Sequence, residues 1–212
     1  VNRRWSANLQ YAAVALCLIG YAVLCHYSNS LKAPSQLGAG LALAPLVAIV
    51  LVGAWRLSPP VFATALSIGL CVGIYRGWPL LKDHYTWIYL LQECGLYGVL
   101  GATFARSLRA GATPVCTLLA ERVHGALTAA EIRYTRQVTA AWALFFAAIV
   151  LTELLLFFDR PLIEWSFFSN FCVLPLVLLM FCTEYAIRRR VLPQETPAGL
   201  LATMRTYFVR SA

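Results

Sequence analysis

Six apolar runs, at residues 9–27, 37–57, 61–80, 85–104, 139–158 and 165–187, are long enough, or nearly so, to cross a bilayer core, which takes about 20 apolar residues. What flanks them is lopsided. Of the 17 Lys and Arg residues, only Lys32, Arg76, Lys82 and Arg160 fall in one set of alternate connections, and all the others fall in the other set. Basic flanks are held on the cytoplasmic side during insertion, so the pattern predicts an even number of crossings with both termini cytoplasmic. The predicted fold class is all-α: a polytopic membrane helical bundle of six transmembrane helices with cytoplasmic interfacial helices.

Composition agrees. Hydrophobic residues make up 60% of the 212-residue chain and charged residues 12%, against roughly 25% charged residues in soluble domains. The net charge of +8 raises the question of nucleic acid. The arginines, however, flank apolar segments with no aromatic-basic binding module beside them, so no nucleic acid is expected and anionic lipid headgroups are the simpler partner.

The third run is the least regular. Its clean apolar stretch stops at Tyr75, Arg76 follows, and Gly77, Trp78 and Pro79 are expected to disturb the last turn. Arg76 is expected to snorkel outward, with Trp78 in the interfacial belt. A re-entrant third run would invert every later one. Charge argues against that, because Arg106, Arg109, Arg122, Arg133 and Arg136 in the 105–138 connection, and Arg188, Arg189, Arg190, Arg205 and Arg210 in the tail, belong with Arg3, Arg4 and Arg56. The first run, preceded by Arg3 and Arg4, is longer than a signal-peptide core and lacks a small-x-small pair at its far end, so it reads as a retained signal anchor.

The seven cysteines fall mostly inside predicted spans and form no CxxC pair, which suits a packing role. His26, His84 and His124 are scattered over both sides, so no metal site and no cofactor are expected.

Between the fourth and fifth runs lies the main soluble stretch. Thr113 is expected to cap a helix with Pro114 in its first position, carrying Val115, Leu118, Leu119 and Val123 on one face and Thr117, Glu121 and His124 opposite. Thr128 and Glu131 form a capping-box pattern whose helix runs directly into the fifth span. In the 191–212 tail, Thr196 and Pro197 start a similar amphipathic segment. Such segments rest in the headgroup layer or dock a protein, and Arg106, Arg109, Arg122, Arg133, Arg136, Arg188, Arg189 and Arg190 are the candidate contacts to anionic lipid or a partner.

Within the bilayer the informative residues are acids. Glu93 sits near the middle of the fourth run, where a charge costs about 2.5 to 3.5 kcal/mol. Tyr89, Glu93 and Tyr97 lie four apart on one face, with Gln92 beside it, and that stripe is expected to face other helices. Glu153 lies in the outer half of the fifth span, within expected reach of Arg76 or Arg160, and Ser169 and Asn170 add polar groups to the sixth. Two readings stay open: a proton relay or binding site made of Glu93, Tyr89, Tyr97, Gln92, Glu153, Arg76 and Asn170, or a polar clasp that fixes packing with Glu153 paired to Arg76. Glu184 is expected to pair with Arg188 one turn on. Gly69, Gly73 and Gly77, and Gly98 with Ala102, are small-xxx-small patterns that permit close helix approach.

The stretches FARSLR (104–109), RYTRQVTAAWALFF (133–146) and WSFFSN (165–170), then Pro175 and EYAIRRR (184–190), resemble a poorly characterised family of bacterial inner-membrane proteins often encoded beside aryl polyene or related fatty-acid-like biosynthesis genes. The likeness covers roughly residues 89–190. The segment WALFF and the following span are also similar to the intracellular septation protein family. Members of the first family are sometimes labelled ketosynthases, but a condensing enzyme needs a nucleophilic Cys, two His and a large soluble α/β fold, and here those residues are dispersed through apolar helices. There is no Gly-rich phosphate loop, no metal-spaced acidic motif and no GxSxG elbow.

The resemblance implies a multi-pass protein of the bacterial inner membrane. The expected role is a non-enzymatic accessory or assembly subunit in envelope lipid or aryl polyene biosynthesis and export, contacting membrane lipids and another membrane or cytosolic protein. The alternative is a small proton-coupled transporter using Glu93 and Glu153. A third reading is a membrane enzyme with Glu93 as base toward a lipid-linked substrate.

Overall fold

The computed structural model describes residues 2–30 and 36–192; within the first helix, side chains are described at Ala13, Leu16 and Cys17 and from Ile19 onward. Among the described residues every regular element is helical: α1 (Asn2–Ser30), α2 (Gln36–Leu57), α3 (Pro60–Asp83), α4 (Tyr85–Ser107), α5 (Val115–His124), α6 (Ala129–Asp159), α7 (Leu162–Phe167), a π-helical turn (Phe168–Cys172) and α8 (Val173–Val191). The amphipathic segment expected around 196–208, with Arg205 and Arg210, lies outside the described residues.

Helices are the expected answer to an apolar solvent, because each backbone amide and carbonyl is then satisfied within its own segment. Four are long and apolar enough to cross a membrane: α2, α3, α6 and the continuous run Leu162–Val191. In α4 the adjacent Gln92 and Glu93 dilute an otherwise apolar helix, and much of the apolar run of α1 falls on residues whose side chains are not described.

Local chemistry sets the boundaries. Pro60 opens α3 in the first helical position, where the missing amide costs nothing. The disturbance expected at Gly77–Pro79 does not end this helix, which continues unbroken to Asp83. A proline late in a helix forfeits one amide and can sit inside when the following turn still closes, as the His84 amide does on the Leu80 carbonyl at 3.1 Å. The expected Thr113 cap of α5 does not form. Pro114 itself holds the N-cap position and α5 begins at Val115. Its first amides bond to hydroxyls from other helices, Val115 N–H to Ser107 Oγ and Cys116 N–H to Thr139 Oγ1, both at 3.2 Å. The capping box at α6 does form: Glu131 accepts from the Thr128 amide, and Thr128 Oγ1 accepts from the Glu131 amide.

The described residues fall into two compact units, the first taking residues up to Gly95 with Leu151–Val173, the second Leu96–Val150 with the residues from Leu174 on. The core of the first is Cys25, Ala39, Ala42, Tyr85, Tyr89, Leu90 and Trp165. Gly38 is required there, since a β-carbon would stand 2.7 Å from the Tyr85 ring. The second is built on aromatic rings, with Trp142 and Phe146 buried against Phe104 and Phe181. A β-carbon added at Gly101 would stand 3.3 Å from the Phe146 β-carbon.

These two glycines were not the ones the small-xxx-small patterns singled out. Among the described atoms nothing lies within 4 Å of a β-carbon added at Gly69, Gly73 or Gly98, and at Gly77 it would meet only Leu81 of the same helix. The single buried residue of α3 is Ala63, which stands on a different face from Gly69 and Gly73.

Candidate functional site

Glu153 is fully buried in the first unit. It lies about 9 Å before the end of α6, and Ser169 lies about 10 Å into the helical run that follows, so the two stand at matching depth either side of the break at Arg160–Pro161. Pro161 takes the N-cap position of α7 and restarts the helix there. Trp165 and Ser169 are four residues apart on that helix and both donate to Glu153: the indole Nε1–H to Oε2, and the Ser169 hydroxyl, from 2.8 Å and 2.7 Å, to the two carboxyl oxygens. The expected pairing of Glu153 with Arg76 or Arg160 is therefore corrected. Both arginines are exposed, and among the described residues the ion pairs are Lys82 with Asp83 and Arg188 with Glu184. Neutral donors in a closed site replace the cation, because a guanidinium would have to be desolvated to reach that depth.

Ser169 and Asn170 both sit in the π-helical turn, a distortion frequent at functional sites. Asn170 turns back on its own helix, its Nδ2 donating to the Ser166 carbonyl at 2.8 Å. Ser166, fully buried, gathers a second cluster: its Oγ takes Asn29 Nδ2 at 3.1 Å and Asn170 Nδ2 at 3.3 Å and lies 3.2 Å from His26 Nδ1. The Asn29 Oδ1 is buried without a partner among the described residues. His26 stands edge-on to Phe167 and Phe171. Sequence reasoning found Asn170 and Ser169 but not His26, Asn29 or Ser166, since one small polar residue near the end of an apolar run looks the same whether or not it has a partner.

The stripe Tyr89, Gln92, Glu93 and Tyr97 resolves into separate tasks. The Tyr89 hydroxyl donates to Cys25 Sγ at 3.3 Å. Gln92 Nε2 donates to the Ala42 carbonyl of α2 at 2.6 Å. One residue before Ala42, the Leu41 carbonyl has lost its helical donor because Pro45, four residues on, has no amide hydrogen. The Tyr21 hydroxyl supplies the replacement at 3.0 Å. Tyr97 belongs to the second unit, where its ring stacks on Phe146 with centroids 6.3 Å apart. Glu93 is half-buried, and among the described residues no hydrogen bond reaches its carboxyl.

The second unit carries a differently built acid. Glu184, also buried, accepts from Arg188 Nη2 at 2.9 Å and Nε at 3.0 Å, while the Tyr134 hydroxyl lies 3.3 Å from its carboxyl and 3.1 Å from its backbone oxygen. Arg189 lies over the Tyr185 ring. Arg106, Arg109, Arg122, Arg133, Arg136 and Arg190 are exposed, with Arg136 Nη2 also donating to the Leu108 carbonyl at 2.7 Å. On α5 the polar Thr117 turns inward, bonded to Thr135 at 2.7 Å. Leu118, Leu119 and Val123 are left exposed.

Chemically, the Glu153 site can hold a proton or an ionised carboxylate in place, while Ser166 with His26, Asn29 and Asn170 is a hydrogen-bonding hub. Among the described residues no group of three His, Cys, Asp or Glu side chains gathers to hold a metal ion. Compared with known proteins, the chain matches no family model, no curated protein and no solved structure.

Proposed function

We propose that the chain is a non-enzymatic accessory or assembly subunit of the bacterial inner membrane, crossing six times with both termini in the cytosol and serving envelope lipid or aryl polyene biosynthesis and export. The lopsided arginines support the topology. The observation that carries the role is how the polar groups of the apolar helices are used. Tyr21 closes the Leu41 carbonyl, Gln92 the Ala42 carbonyl, and Trp165 and Ser169 the Glu153 carboxyl. Those are packing contacts, which fix helices against one another and make a scaffold rather than a reaction centre. The exposed apolar span surfaces offer the partner its contact, and α3, with one buried residue, is the least covered of the four long apolar helices.

The test is purification of the full chain in mild detergent after crosslinking in native membranes. A stoichiometric second protein of envelope lipid or polyene production is the expected result, and a strictly solitary chain overturns the role. Reporter fusions within 105–138 read the topology separately; a periplasmic signal there refutes it.

One observation favours a second reading, the proton-coupled transporter: the Glu93 carboxyl has no hydrogen-bond partner among the described residues. Glu93→Gln in proteoliposomes separates the two. A transporter loses pH-driven uptake while staying folded, whereas a scaffold keeps its partner and its stability.

A further inference from the structure

We propose that α5 is a docking helix for anionic phospholipid, binding the headgroup layer of the leaflet that α6 enters through the face made by Leu118, Leu119, Arg122 and Val123. The inference rests on α6 crossing the bilayer and is independent of the assembly role.

Depth is the first support. The opening turn of α5 is pinned to α6 by the Cys116 amide on Thr139 Oγ1 and the Thr117 hydroxyl on Thr135. Thr139 opens the apolar run of α6. A ten-residue helix is about 15 Å long, so with one end held at that level α5 starts at the edge of the hydrocarbon core and reaches no more than about 15 Å from it.

Orientation is the second. Thr117 is 2% exposed, while Leu118, Leu119 and Val123 are 41%, 45% and 40% exposed, the reverse of a helix folded against its own protein in water. Arg122 lies four residues after Leu118 and three after Leu119, hence on the same outward face. Among the described residues it makes no ion pair. An apolar face with an arginine in its middle suits a lipid boundary, where the stem lies along acyl chains and the guanidinium reaches phosphate. No aromatic anchor of the kind that dominates protein interfaces is present on α5.

Charge is the third. In 105–138, Arg106, Arg109, Arg122, Arg133 and Arg136 face only Glu121 and Glu131, and the Glu131 carboxylate is engaged in the capping box. The surplus is positive, complementary to a phosphate-rich surface.

The experiment is hydrogen exchange of the full chain in nanodiscs holding one copy each, in phosphatidylcholine alone and in phosphatidylcholine with phosphatidylglycerol. Amides of 118–124 are expected to exchange several-fold more slowly in the anionic discs. Arg122→Ala should remove about a fivefold factor there and leave the zwitterionic rate unchanged, the worth of one arginine at a charged surface. Leu119→Ala, which keeps helix propensity, should speed exchange in both lipids. Equal rates in the two lipids, an inert Leu119→Ala, or slowing that appears only with a second copy or an added protein overturns the proposal; the last outcome would assign the face to a protein.

Discussion

Each unit buries a glutamate, and the two are stabilised in opposite ways. Glu153 in the first unit is held by an indole and a hydroxyl, both neutral, with no cation among the described residues within ion-pair distance. Glu184 in the second unit is held by Arg188, whose side chain is 37% exposed, with a tyrosine hydroxyl added. In the first arrangement the carboxyl and the indole are closed off from solvent and only the serine is half-buried, so losing the acceptor is felt almost in full. The second is partly wetted, and an arginine that loses its partner can turn to water. The comparison teaches that an acid in an apolar helix is not by itself a mark of function: its neighbours decide whether it binds, packs or pairs.

The largest expected effect tests that contrast directly. Glu153→Ala leaves the buried Trp165 indole and the half-buried Ser169 hydroxyl without their acceptor and should cost about 3 kcal/mol in denaturation of the full chain in detergent, with Glu153→Gln recovering more than half. Glu184→Ala should cost about 1 kcal/mol or less, because Arg188 rehydrates. If Glu184→Ala proves the costlier of the two, the comparison fails.

A smaller effect sharpens the account of the first unit. Tyr21→Phe strips the donor from the Leu41 carbonyl and should cost about 1 kcal/mol. In a Pro45→Ala background the restored amide serves that carbonyl, so Tyr21→Phe should then cost almost nothing. The double-mutant cycle reads the coupling, and two additive substitutions would refute it.

The smallest effect concerns the second unit. Burial pushes the Cys116 thiol up from its ordinary value, outweighing the opposing pull of Thr139. The thiolate is the reactive form, so a raised pKa means slow labelling at neutral pH and a rate still climbing near about pH 10, where an ordinary thiol levels off. A rate that is half-maximal at the usual thiol pKa would show that α5 is not packed down at that residue.

Where local chemistry decides, the sequence was readable. The Thr128–Glu131 box and the i,i+4 pair Glu184–Arg188 rest on neighbours in the chain, and both form. Where partners come from distant segments it was not. Nothing near Pro45 in the sequence says that Tyr21 will serve the carbonyl it orphans. Arg76 and Arg160 looked suitable for Glu153 on charge alone, yet the indole and hydroxyl four residues apart after Pro161 had the right face and depth. Glycine spacing could not discriminate for the same reason: close approach occurs at Gly38 and Gly101, each four residues before an alanine, while the repeated glycines of α3, at the same spacing, meet nothing from another described helix.

The bond from Tyr21 to Leu41 also bears on biogenesis. A ribosome delivers Tyr21 before Leu41, so the first two helices can leave the insertion machinery as a hairpin whose proline defect is already mended. Gln92 reaches the neighbouring carbonyl only after two more helices have been made. Early hairpin release, followed by later locking, is the assembly order that this single hydroxyl makes feasible.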